Sequence, residues 1–280
     1  MAPEVILSME NDGLNLAVDA DRLYVRCKRT MHSYALKDMV QTAHAVIFKK
    51  DGKARGFSFF ENGIFLTDFC DLYMLDKDSF QVSGVYRIGQ DASSDLGVVR
   101  FGGSNAYLAM RNGGMAVMDV DTRAVSLHQP DDVSFWDFCI TKDRIYAGTV
   151  RGELLEIDAQ TVQVLRRVSL GKKNIYSVVP RGRRLYTVSQ DASIKAVDMD
   201  ALAVAAQAKK AVCGMARILG CYRDDLLVAD SGKVSVWRAD TLQHRDTFDF
   251  PTGDYNKGIV LAEDTLYGSD GHHIYRMALG

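Results

Sequence analysis

The stretch Phe135-Trp-Asp-Phe-Cys-Ile-Thr-Lys-Asp-Arg144-Ile-Tyr-Ala-Gly-Thr-Val150-Arg-Gly-Glu153-Leu-Leu-Glu-Ile157-Asp158-Ala-Gln-Thr161-Val162-Gln-Val-Leu-Arg-Arg-Val-Ser169 decides the fold. It reads as four short strands: Phe135 to Thr141, Arg144 to Val150, Glu153 to Ile157 and Val162 to Ser169. Each is rich in β-branched, aliphatic or aromatic residues, which suit a pleated and half-buried surface. Lys142-Asp143 and Arg151-Gly152 punctuate the run, and Gly171-Lys172-Lys173 ends it. Strands bounded by such residues are a hairpin signal.

The same unit recurs along the chain. Its second strand carries an apolar–aromatic or apolar–apolar pair, found at Leu23-Tyr24, Ile64-Phe65, Ala106-Tyr107, Ile145-Tyr146, Leu185-Tyr186, Leu226-Leu227 and Leu266-Tyr267. The intervals run from 39 to 42 residues. A turn-forming residue stands two positions before the pair at Asp21, Asn62, Ser104, Asp143, Asp224 and Asp264, with Arg183 as the exception. A second motif keeps the period: an apolar residue, Asp, then Ser or Thr three residues on. It reads Leu75-Asp76-Lys-Asp-Ser79, Met118-Asp119-Val-Asp-Thr122 and Ile157-Asp158-Ala-Gln-Thr161, with weaker copies at Val197-Asp198 and Trp237-Arg238. An aspartate can accept hydrogen bonds from backbone N–H groups just after it, so these positions are read as turns rather than as metal or catalytic groups.

Seven four-stranded units at one period of this length specify a seven-bladed all-β propeller of antiparallel blades. The register assigns the Ala-rich segment Ala201 to Lys209 to an outer strand, not a helix. No proline is placed in a strand interior. Residues 1–280 are expected to form one domain, with the repeats over about 13–280. The last unit, from Lys257 to Leu279, supplies only three strands. Glu4-Val-Ile-Leu-Ser-Met-Glu10, in the segment 1–10, is expected to be the missing outer strand of blade seven.

Ser231-Gly-Lys-Val-Ser-Val-Trp237-Arg238-Ala-Asp-Thr241 and Gln190-Asp191-Ala-Ser-Ile-Lys-Ala-Val197-Asp198 resemble the ends of WD repeats. The repeats are degenerate. One blade alone carries the Trp, its partner Asp is replaced by Arg238, and the Gly-His pair of the family's blade starts is absent. The resemblance implies a ring closed by a strand from the opposite terminus. It also implies a non-catalytic protein-interaction module, an adaptor or subunit of a larger assembly.

Composition narrows the function classes. The formal net charge is −2, charged residues are 25% and apolar residues 47%. A general polyanion binder needs a basic excess, and a disordered chain needs a lower apolar content. No apolar run reaches a membrane span, and the first residues lack the basic start of a signal peptide. Cys27, Cys70, Cys139, Cys213 and Cys221 are scattered without CxxC spacing, so a reducing, cytoplasmic setting is expected. No cofactor, metal or catalytic residue is expected. GxSxG, Walker and HExxH motifs are absent, and adjacent His272 and His273 point to opposite faces of a strand.

In a propeller the d–a and b–c loops share one face, here the top, and the a–b and c–d turns share the bottom. The top loops of blades one and two are basic: Lys28, Arg29, Lys49, Lys50, Lys53 and Arg55. Lys172, Lys173, Lys209 and Lys210 add to this, whereas Asp91, Asp95, Asp131 and Asp132 make the loops into blades three and four acidic. Phe69, Trp136 and Tyr255 are candidate aromatic anchors. For Trp136 the imperfect alternation from Phe135 to Phe138 favours core packing over the anchor role. The expected partner is a protein with an acidic segment, held on the top by a propeller that is itself monomeric within a hetero-complex. Two alternatives stand beside this reading. One is a metal-dependent, lactonase-like hydrolase using Asp12, Asp95, Asn174, Asp254 or Asn256 as oxygen ligands at the channel mouth. The other is a nucleic-acid-binding propeller, which the lack of aromatics interleaved with the basic loops disfavours.

Overall fold

The computed structural model describes residues 2–9, 13–48, 57–90, 95–130, 134–213, 215–251 and 258–280. Seven four-stranded antiparallel sheets follow one another as propeller blades. In the first six, strands a, b, c and d run from the axis outward in chain order; in the seventh the outer strand comes from the start of the chain. Blade four holds Phe135–Thr141, Arg144–Thr149, Glu153–Asp158 and Val164–Ser169. Its outer strand therefore starts two residues later than its sequence suggests. Val162 is left in the turn with φ of 55°, its side chain buried. The Ala-rich segment is the outer strand Ala203–Ala208 of blade five.

Blade seven is closed as expected. Glu4–Ser8 pairs antiparallel with His273–Ala278, and Arg276 salt-bridges Glu4 across the seam. Met9 N–H donates to the His272 carbonyl at 2.7 Å. Ile6, Leu7 and Met9 pack onto the cluster of Leu16, Leu23, Val25, Tyr267 and Ile274 that joins blade seven to blade one.

The repeated residues have repeated physical roles. The N–H of the residue just after strand c donates to the carbonyl two positions before the paired residues of strand b. This holds in all seven blades: Leu36 to Asp21, Lys77 to Asn62, Val120 to Ser104, Ala159 to Asp143, Met199 to Arg183, Ala239 to Asp224 and Leu279 to Asp264. The blade uses a main-chain carbonyl there, which is why Arg183 serves as well as an aspartate. The tyrosine of strand b clasps the next blade. Tyr107 Oη donates to the Ala159 carbonyl at 2.9 Å, and Tyr186 Oη donates to the Ala239 carbonyl at 2.8 Å. Burial pushes both phenols above their usual pKa. The motif aspartates close turns, accepting from N–H groups two and three residues on. Asp119 takes Asp121, Thr122 and the Thr122 hydroxyl, and Asp76, Asp158 and Asp198 repeat the backbone pattern.

The hydrophobic core lies between blades, in clusters such as Tyr186, Val188, Ile194, Ile218, Leu226, Val228 and Trp237. Burying one such aliphatic side chain contributes roughly 1.5–3 kcal/mol. One expectation is corrected. Pro180 lies inside strand a of blade five, Ile175–Arg181, opposite Leu185. Strand a is an edge facing the axis, so a residue without an N–H is tolerated there.

Candidate functional site at the top of the channel

The two faces are fixed by hydrogen bonds. Ile47 N–H donates to the Arg29 carbonyl, Leu170 N–H to Gly152 and Gln190 N–H to Asn174, tying d–a and b–c loops together at the top. Strand a of each blade starts there, and it carries a bulge in blades one, three and six as well as at its start in blades four and five. The register slips between Phe135 and Asp137 and again between Ile175 and Ser177. The extra residues are Trp136 and Tyr176. A bulge re-aims the side chain it inserts. Phe135 and Phe138 are buried, whereas Trp136 is 44% exposed. Its ring meets that of Tyr176 edge-on at 6.1 Å, with the planes at 68°. The core packing that the alternation favours for Trp136 is thus corrected: the bulge turns its ring toward solvent.

Beneath the aromatic pair runs a polar belt across four blades. Arg100 Nη2 of blade three lies 3.1 Å from Asp137 Oδ1 of blade four. Asp137 Oδ2 accepts the Val178 N–H of blade five at 3.1 Å and the Ser177 hydroxyl at 3.5 Å. Ser177 Oγ in turn accepts the Ile218 N–H of blade six at 3.4 Å. Asp137 and Ser177 are buried, so each bond is made in a low-dielectric setting where an unmet partner is costly. Burial holds the Arg217 guanidinium below its usual pKa, partly offset by Asp137 and reinforced by Arg100. Burial, then the Asp137 charge, pushes the Cys139 thiol up to about 12. It stays protonated and is no nucleophile at neutral pH.

The other expected anchors divide. Phe69 occupies the b–c turn of blade two at φ of 51° and is 47% exposed. Lys28 is half-buried at φ of 45°, and Arg29 is exposed, with Nε donating to the Phe48 carbonyl at 3.0 Å. Lys172, Lys173, Lys209 and Lys210 are exposed on the same face. Lys49, Lys50, Lys53, Arg55 and Tyr255 lie outside the described residues, as do Asp12, Asp91, Asp131, Asp132, Asp254 and Asn256. Asp95 corrects the picture of an acidic rim. It is buried, with Arg111 Nη1 3.9 Å from it. Among the described residues, no three His, Cys, Asp or Glu side chains gather as a metal site would need.

Sequence reading passed over Tyr176, Arg100, Asp137 and Arg217. A signal was available: Trp136 and Tyr176 occupy one repeat position in successive blades, and Asp137, Ser177 and Arg217 occupy the next. A cleft of about 450 Å³ on the bottom, between blades seven and one, is lined by Asp19, Lys37, Glu263 and Asp264 around Leu36 and Tyr267. Asp19 is already engaged there by Lys77 and Tyr24, each at 3.0 Å.

No sequence-family profile matches this chain, and no curated protein matches it by sequence. Its fold has solved counterparts. It is similar to the β-propeller domain of Cps50 (Swd1) from Myceliophteria thermophila, with a TM-score of 0.78, 11% identity and full coverage of both chains. It is also similar to the computationally designed Ika8 protein, with a TM-score of 0.72, 10% identity and 98% coverage of each chain. Likeness at such identities is a likeness of fold, and a fold does not by itself fix a function.

Proposed function

We propose that this chain is a WD-repeat-like, non-catalytic interaction module that docks a partner protein on its top face. The supporting observation is the Trp136–Tyr176 pair, an exposed indole braced edge-on by a half-buried tyrosine ring at two bulges above a hydrogen-bonded polar belt. An exposed aromatic on a rigid base suits a binding hot spot, because little side-chain freedom is lost on contact. The exposed Arg29, Lys172, Lys173, Lys209 and Lys210 favour an acidic segment in that partner, and rim charges of this kind raise association rates. Lys28, Phe69, Lys49, Lys50, Lys53, Arg55 and Tyr255 extend the proposed surface. The buried, protonated Cys139 and the satisfied Asp137 fit a site that binds rather than reacts.

The test is affinity capture from the native source followed by mass spectrometry, with wild type beside Trp136→Ala and Tyr176→Ala. A partner retained by wild type and lost by both variants, at unchanged thermal stability, supports the reading. A partner held equally by all three places the interface elsewhere.

A further inference from the structure

Asp137, Ser177, Arg217 and Gly258 hold one repeat position in blades four to seven, at intervals of 40 or 41 residues. Each lies on or just before the innermost strand, opposite Gly148, Val188, Ala229 and Ser269 respectively. The first two are satisfied by their neighbours. Asp137 Oδ1 is engaged by Arg100, and its Oδ2 by Val178 and Ser177. Ser177 Oγ accepts from Ile218, the residue after Arg217.

Arg217 is the exception. It is half-buried, and its guanidinium has no hydrogen bond or ion pair among the described residues. Both Asp137 oxygens are already engaged. From the other side blade seven presents Gly258, which has no side chain to answer it. Burial lowers the Arg217 pKa, Asp137 restores part of the loss and Arg100 adds to it. The group has given up water without gaining an acceptor, which is unfavourable on its own. Two guanidinium groups beside one carboxylate leave this stretch of the channel wall with a charge of +1.

We propose that Arg217 receives a carboxylate of the partner's acidic segment, an Asp or Glu side chain reaching into the channel mouth past Trp136 and Tyr176. This rests on the top face being the docking surface, and it names the group that the acidic segment meets. A planar guanidinium holds a carboxylate through two parallel N–H···O bonds. A wall of charge +1 suits the single charge of a carboxylate. A phosphate group, with nearly twice that charge, meets stronger repulsion from Asp137.

The experiment titrates the purified full chain into a dye-labelled hexaglutamate peptide, read by fluorescence anisotropy. Wild type should bind it saturably. Arg217→Leu should weaken binding at least ~10-fold, as the loss of a charge-assisted pair requires, at an unchanged or higher melting temperature. Arg217→Lys keeps the charge but not the fork. It should fall between the two, and it serves if the leucine variant does not fold. Lys37→Leu, an exposed lysine of the bottom face, should bind as wild type does. Acetate should displace the peptide at least as well as inorganic phosphate at equal ionic strength.

Wild type that does not bind overturns the proposal, as do Arg217→Leu and Arg217→Lys that bind unchanged. A melting temperature that falls along with binding in both variants makes Arg217 structural and overturns it too. Phosphate displacing the peptide better than acetate assigns the place to a phosphate group instead. Partner capture separates this proposal from the docking surface on which it rests. A partner lost by Trp136→Ala but kept by Arg217→Leu spares the top face and removes Arg217 from it. A partner kept by both removes the face itself.

Discussion

The bottom of this propeller repeats one scheme, whereas the top adds to its own repeated b–c turns features that belong to a few blades. On the bottom, six c–d turns carry a non-glycine residue at φ between 48° and 64°: Met39, Phe80, Arg123, Val162, Leu202 and Leu242. Such φ values are strained for bulky and β-branched side chains. Four of the six are buried, so packing offsets the strain. On the top, strand a bulges in five blades, but only in blades four and five does the bulge carry an aromatic, Trp136 and Tyr176, and the belt below them spans only blades three to six. Repetition marks what every blade needs in order to fold. Departures from it, once their side chains are satisfied or exposed, mark what one face can do beyond folding.

The contrast can be tested from its strongest consequence downward. Deleting residues 1–10 strips blade seven of its outer strand and the seam of its apolar contacts. We expect the melting temperature to fall by on the order of 10 °C, with aggregation in light scattering. An intact melting temperature would sink the account of closure. Asp137→Ala leaves the buried Val178 N–H without its acceptor and deprives the part-buried Arg100 of its carboxylate, leaving it the Val99 carbonyl. Denaturant unfolding should show a loss of about 2–4 kcal/mol. A loss as small as that of a surface substitution would mean the belt is not structural.

Acid should act next. Asp270 Oδ2 accepts from Tyr275 Oη at 2.6 Å, and Oδ1 from the His272 and His273 N–H groups at 2.8 Å each. Burial alone would raise its pKa, but these bonds outweigh it and hold the carboxylate well below the usual 3.8. A folded-state pKa below the unfolded one stabilises above about pH 4 and is lost as pH falls further. Melting curves of wild type and Asp270→Asn should therefore converge in acid and separate toward neutrality. Curves that stay parallel would remove Asp270 from the account. The smallest effect belongs to Asp119→Ala, an exposed bottom turn. It should lower the melting temperature least of this set and leave partner capture unchanged, whereas Trp136→Ala should do the reverse.

The blade count, the strand order and the closing strand were legible because each rests on a period that two motifs share. The outward turn of Trp136 was not, because a bulge inserts one residue and inverts the alternation on which facing is judged. Nor was the burial of Asp95: composition places a carboxylate in a loop, but only the fold brings Arg111 to it. The bottom arginines are likewise engaged only by the fold: Arg181 Nη2 donates to the Arg223 carbonyl at 2.5 Å and Arg184 Nη1 to the Asp240 carbonyl at 2.8 Å. Reversing their charge would test blade packing, not binding.

The strap between Glu4 and Arg276 joins residues 272 positions apart. During synthesis the strand Glu4–Ser8 emerges long before its partner His273–Ala278. Six blades can assemble in order while that first strand waits without a neighbour. The ring locks only when the final blade arrives, so the contact of greatest sequence separation is made last. Such late, non-local closure is slow compared with hairpin formation. Until it occurs, the nascent chain presents an open-ended row of blades to its surroundings. The interval between the sixth blade and the seventh is therefore when this protein most depends on protection from its neighbours.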